Sequence, residues 1–161
     1  MNLIAMVRGL LIAGILLPGT LYSAGFDFSK AIKVGSGPKT VIEYTDPDCP
    51  FCRKASKYLD SRPDVTRYVF FKPLAMHQRA KEKARFVLSM ADKARAYHDV
   101  MSGSLDSAPP LASTPDGAKL LDEHKMIAKQ SKVEATPTFV INGRVIEGFD
   151  VKKIEEALGP R

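Results

Sequence analysis

The chain holds two cysteines, and they stand two residues apart in EYTDPDCPFCRK, residues 43–54. Cys49 and Cys52 are therefore each other's only partner within the chain. A disulfide across so short a ring removes little freedom from the unfolded chain, because that stabilisation grows with loop length. As a staple the pair is a poor choice; as a site of thiol–disulfide exchange it makes sense. A structural zinc site takes four ligands. There is no second cysteine pair, and His77, His98 and His124 are not at ligand spacing, so no metal is expected. No cofactor is needed beyond the redox-active cysteines themselves.

Positioning such a pair falls to the elements on either side. TVIEYT (40–45) alternates and is rich in β-formers, so it reads as a strand. Pro50 suits the first position of a helix, where its missing N–H costs nothing. From there Phe51, Ala55, Tyr58 and Leu59 recur at helical spacing until Ser61-Arg62-Pro63. Cys49 then falls at the N-cap, with its sulfur facing the unpaired amides of Phe51 and Cys52 at the positive end of the helix dipole. Both effects favour a thiolate, so Cys49 is expected to ionise below the ~8.5 of a free cysteine and to act as nucleophile. Asp46 and Asp48 oppose that tendency. Cys52, one turn in on the face of Ala55 and Leu59, is expected to be shielded and to resolve the mixed disulfide.

Further elements complete an α/β layered domain. AIKV is a candidate edge strand, and VTRYVFF (65–71) is a second full strand. Residues 76–101 read as one long amphipathic helix carrying Ala80, Ala84, Val87, Leu88, Ala91 and Ala94 on one side. A Ser/Pro-rich loop (102–116) leads to a second helix, 117–130, through Leu120, Leu121, Met126 and Ile127. TFVIN and RVIEGF form a hairpin across Asn142-Gly143. Asp150 caps a last helix that Gly159 stops. The first crossover implies a parallel pair, the hairpin extends it, and about 74–134 is an insertion between VTRYVFF and the hairpin.

Residues 1–24 differ from the rest. One cation, Arg8, precedes an apolar run from Gly9 to Leu17, followed by Ser23, Ala24 and Gly25. This is the pattern of a secretory signal peptide, leaving 25–161 as the working domain. Export places the cysteines in an oxidising compartment. The formal net charge is +6, yet the cations interleave with acids, as in RAKEKAR and VKKIEE. Those stretches read as solvated faces, and no nucleic-acid partner is expected.

Taken together, DPDCPFCRK after a strand and ATPTFVINGRVIEGF far downstream resemble the thioredoxin fold. More narrowly, the chain resembles the periplasmic Dsb group of disulfide oxidoreductases. YTDPDCPFCRK is similar to the catalytic domain of DsbC/DsbG isomerases, and FKPLAMHQRAKEKA with its helical insert is similar to DsbA-like proteins. The resemblance implies a cis bond before Pro137, opposite the cysteines. Thr136 would then offer its backbone to an extended substrate, with Pro50 and Phe51 beside it. It also implies a buried acid at Glu43, relaying the proton of Cys52; a solvent-facing Glu43 on an edge strand is the other reading. Lys72 and His77 stand just past the second strand, where a solvated role is the ordinary one. DsbC-type proteins carry an N-terminal dimerisation domain. Only a short segment precedes the first strand here, so a monomer is expected.

The expected activity is exported, periplasmic thiol:disulfide exchange by oxidation or isomerisation. Its expected partners are cysteine-containing exported proteins and a membrane redox protein that resets the site. A reductant in a maturation pathway, and a chaperone-like binding module with a fixed disulfide, are the competing readings.

Overall fold

A computed structural model of the chain describes residues 27–161; the signal peptide expected over 1–24 lies outside the described residues. Five strands, β1 (Ile32–Val34), β2 (Lys39–Thr45), β3 (Val65–Phe71), β4 (Thr138–Ile141) and β5 (Arg144–Glu147), form one sheet. Their order is β1-β3-β2-β4-β5. β2 runs parallel to β3 and antiparallel to β4, while β1 and β5 are the antiparallel edges. This is the expected parallel pair extended by a hairpin, and AIKV supplies the edge strand. Asn142 and Gly143 both take positive φ between β4 and β5, as a two-residue hairpin with that sequence requires.

The central strand β2 is covered on both faces, and its alternation sorts the layers. Val41 packs with Ala55 and Leu59 of α1 (Pro50–Asp60) and with Ile154 and Leu158 of the last helix, α5 (Val151–Leu158). Ile42 and Tyr44 point the other way, to Phe70, Ala128 and Val133. Glu43 and Thr45 share the face of Val41, as the strand period demands.

The helix read over 76–101 is two helices, α2 (Ala80–Ser89) and α3 (Lys93–Met101). Met90 leaves α2 with an extended backbone, and Asp92 starts α3 by accepting the Arg95 amide at 2.9 Å. An aspartate directly before a helix serves well as its N-cap, which continuous apolar spacing conceals. The buried face therefore passes from Ala80, Ala84, Val87 and Leu88 to Ala96, Tyr97, Val100 and Met101, and Ala91 is exposed. The next helix, α4 (Pro115–Gln130), begins two residues earlier than expected. Thr114 caps it through the Gly117 amide at 3.0 Å. It crosses α2 at Gly117, where a Cβ would meet Ser89 Oγ at 2.1 Å and Arg85 O at 2.9 Å. Of the α4 positions expected to face inward, Leu121 is buried, Leu120 and Ile127 are half-buried and Met126 is exposed; His124 and Ala128 complete the buried face. α5 is capped by Asp150 and ended by Gly159 at φ +73, as read.

Candidate functional site

β2 and β3 end side by side, and α1 starts directly beyond β2, so the cysteines sit at one end of the sheet. Cys49 is the N-cap of α1 and Pro50 follows at its first position. The sulfur of Cys49 makes no cap hydrogen bond to the helix amides. It turns instead to the loop before β4, donating to the Thr136 carbonyl at 3.7 Å. The Thr136–Pro137 bond is cis, as the resemblance implies. Both cysteines are free thiols. Cys49 is 5% exposed, less open than its expected role suggests, and Cys52 is fully buried. Phe51 lies between them in sequence and is 59% exposed, because Pro50 and Phe51 form the outward side of the first turn. Phe51 is therefore not part of the buried stripe of α1, which runs through Cys52, Ala55, Ser56 and Leu59.

Burial pushes the Cys52 thiol well above the ordinary cysteine range, with the nearby Cys49 adding to it. The Asp46 amide, donating to Cys52 Sγ at 3.4 Å, works against that rise. Cys52 is thus held as a protonated thiol, closed off behind the outer sulfur.

Glu43 is completely buried. β2 is a central strand, so the solvent-facing reading of Glu43 does not apply. Its register neighbours are Val69 and Phe139. Its carboxylate accepts from Tyr97 Oη at 3.0 Å and from Arg67 Nη1 at 3.4 Å. Burial raises the Glu43 pKa, against the pull of the Arg67 charge and the Tyr97 hydrogen bond. Arg67 also reaches Ser56 and Asp60. The buried Thr45 hydroxyl neighbours both the Glu43 carboxyl and the Cys52 sulfur, though not at hydrogen-bonding geometry to any partner. Glu43 and the Cys52 sulfur thus share one buried polar pocket.

Two groups of residues at the site make contacts that the sequence did not show. Asp46 is fully buried. Its Oδ1 accepts from the amides of Asp48 at 2.7 Å and Cys49 at 3.2 Å. Its Oδ2 accepts from the Leu74 amide at 2.7 Å and from His77 Nδ1 at 2.9 Å. The loop after β3 is thereby pinned to the cysteine turn, with the Lys72 backbone N–H donating to Thr45 O at 2.8 Å. Aspartate ahead of a tight turn is the signal that could have found it. The second group corrects the solvated reading of RAKEKAR. Lys83 is buried, its ammonium set between Asp48 and Asp106, 2.6 Å from the latter. Arg53 bridges the same two carboxylates, at 3.2 Å and 2.6 Å. The insert is ionically docked onto the residue that precedes Cys49. Among the described residues no cluster of His, Cys, Asp and Glu is arranged to hold a metal ion.

Comparison with known proteins follows the same lines. The family model for a thioredoxin-like domain matches residues 28–157. A disulfide interchange protein from Neisseria gonorrhoeae, known from its crystal structure, is 32% identical with a TM-score of 0.69, covering 83% of this chain and 96% of its own. DsbA2 of Pseudomonas aeruginosa is 25% identical with a TM-score of 0.57, over 79% of this chain and 91% of that one. A probable thiol:disulfide interchange protein DsbC of Bordetella avium is 28% identical over 104 residues, 65% of this chain. The chain spans 35% of that relative and 43% of the similarly described Bordetella pertussis protein.

Proposed function

The chain belongs to the thioredoxin-like domain family, in its Dsb group of thiol:disulfide oxidoreductases, and from that premise we propose that it exchanges disulfides with exported cysteine-containing proteins. Cys49 is the sulfur that meets the partner. Cys52 resolves the mixed disulfide, and Glu43 handles the Cys52 proton. Thr136 and Pro137 form the platform for the partner's backbone, with Pro50 and Phe51 at its edge. The observation that carries this reading is the pairing of an outer sulfur, 3.7 Å from the Thr136 carbonyl, with an inner sulfur that is fully buried.

In the exchange, the Cys49 thiolate attacks a partner disulfide. One partner sulfur leaves as a thiolate and the other stays bound to Cys49. Cys52 gives up its proton and attacks Cys49 Sγ, closing the internal disulfide and freeing the second partner thiol. The reverse sequence donates a disulfide. No further cofactor enters either direction. Action in the periplasm as a monomer, in oxidation or isomerisation and with a membrane protein resetting the pair, completes the reading. Support for the compartment comes from the leader-like pattern of residues 1–24.

The test is trapping. Protein with Cys52→Ala, mixed with a disulfide-bearing polypeptide, should accumulate a covalent adduct at Cys49 that dithiothreitol releases. Absence of any adduct overturns the reading. Activity that survives Cys49→Ser would favour a binding module instead. Equilibration with defined glutathione ratios sets the direction: a strongly oxidising pair donates disulfides, and one near thioredoxin's ~−270 mV reduces them.

A further inference from the structure

Beside the cysteines, on the α4 side of the sheet, lies a groove that the exchange chemistry does not use. A 560 Å³ cleft runs between Lys72-Pro73 and α4, with Val133 and Glu134 in its lining. A second cleft of 230 Å³ continues it past His77 to Lys81, and the two share Pro73 and Lys125. The groove therefore comes within two residues of Thr136 in the chain and follows the loop that Asp46 pins in place. Among the described residues, the amides of Glu134, Ala135 and Thr136 make no hydrogen bond, so a chain arriving from the groove finds free donors there.

The groove has an apolar element with a cationic rim. Met126 is 59% exposed on its wall, and Met76 is 78% exposed on the adjoining loop. Unbranched, polarizable methionines adapt to varied apolar side chains. Four lysines, Lys72, Lys81, Lys125 and Lys129, line the joined clefts against two carboxylates, Asp122 and Glu134. Asp122 is engaged by Lys125 at 3.1 Å, so the rim presents excess positive charge to an arriving chain.

We propose that this groove holds the partner polypeptide next to its reacting cysteine, and that it selects an extended segment with an apolar side chain between carboxylates. This rests on the exchange reading above and adds the class of partner sequence to it. Lysines beside the groove give steering and register, and the methionines accept whatever apolar residue arrives.

Two peptides of equal length test it, each carrying one cysteine as its mixed disulfide with glutathione. One flanks the cysteine with Leu and Glu, the other with Leu and Lys. Reduced protein breaks the peptide–glutathione disulfide, releasing both as thiols, while Cys49 and Cys52 close into a disulfide. The acidic peptide should react about tenfold faster at low salt, and the gap should close at about 0.5 M salt, where surface charges are screened. Lys125→Glu with Lys129→Glu should reverse the preference, with a urea midpoint matching the parent's showing that the fold is kept. Equal rates for the two peptides, or a preference that survives charge reversal, overturn the groove while the exchange reading stands. Failure of the parent protein to react with oxidised glutathione at all sinks the exchange reading first. Should the parent sediment as a dimer that the double substitution dissociates, the groove is filled by a second copy and the proposal falls.

Discussion

Asp46 holds both cysteines at once: its amide donates to Cys52 Sγ at 3.4 Å, and its carboxylate accepts from the Cys49 amide at 3.2 Å. The same carboxylate fixes Leu74 and His77 on the loop after β3. Asp46→Ala removes the carboxylate and orphans the amides of Asp48 and Leu74, while the Cys49 amide keeps the Asp46 carbonyl at 3.2 Å. Hydrogen bonds to a charged group are worth ~1.5–3 kcal/mol each, and water entering the gap recovers part of that. We expect a loss of about 3 kcal/mol in urea unfolding. In a Cys49→Ser background, Cys52 should also be alkylated faster, because the turn that covers it loosens. Unchanged Cys52 alkylation would mean that α1 alone shields the inner sulfur.

Glu43→Gln separates a proton-handling role from a bracing one. Burial holds the Glu43 carboxyl protonated to higher pH than a free carboxyl. It shares a pocket with Cys52, whose proton must leave for resolution. Glutamine keeps the shape and a hydrogen bond to Tyr97 but cannot take a proton. Direct general base catalysis contributes ~100-fold or more. Glu43 makes no hydrogen bond to Cys52, so its contribution should be about tenfold, below that of direct transfer. Stopped-flow resolution of a preformed Cys49 mixed disulfide should slow by that factor between pH 6 and 8. An unaltered rate with lowered stability would make Glu43 a brace for Arg67.

Lys83→Met tests how the insert is tied to the cysteine turn. The methionine fills the same stem volume but leaves Asp48 and Asp106 to Arg53 alone. Removing one partner of a buried ion pair costs ~3–5 kcal/mol. Arg53 still serves both acids, so about 2–3 kcal/mol, at or below the low end of that range, is the expected loss in stability. Adding Asp48→Asn should return part of it, a coupling that a double-mutant cycle measures. Additive losses would show that Lys83 contributes by packing rather than by charge.

Much of the frame around these residues was legible. Pro50 after Cys49 marked the helix start, Asn142-Gly143 the hairpin, and the alternation of β2 the shared face of Glu43 and Thr45. What local pattern could not show was competition and distance. The apolar spacing of 76–101 reads straight through Met90, although Asp92 caps a new helix there. RAKEKAR looks like a solvated stripe because its burying partners, Asp48 and Asp106, lie 35 and 23 residues away. Arg67 in VTRYVFF did carry a signal, a charge inside an apolar strand, but naming Glu43 and Tyr97 as its partners needs the sheet. Cys49 was placed correctly at the N-cap, while its sulfur turns toward Thr136, 87 residues away.

His124 makes the fold sensitive to acid. Its ring is fully buried in α4 against Phe70 and Phe71. Nδ1 accepts from the Phe71 amide at 3.0 Å, which requires Nε2–H to donate to Lys30 O at 2.6 Å. Only the neutral ring satisfies both, and burial pushes the His124 pKa down to about 4. In the unfolded chain the ring titrates near ~6.5. Between those values the unfolded state binds the extra proton, so stability falls as pH drops through this window and the loss levels off below about 4. The full effect is on the order of 3 kcal/mol. His124→Gln keeps an acceptor and a donor without a titrating ring. Urea unfolding from pH 7 to 4.5 should show a steeper decline in the parent protein than in the variant. Glu43, whose raised pKa gives the opposite slope, is common to both, so the difference between the two curves isolates His124. Parallel curves would mean that the buried ring accepts a proton in the folded state as readily as in the unfolded one, with the Phe71 amide turning elsewhere.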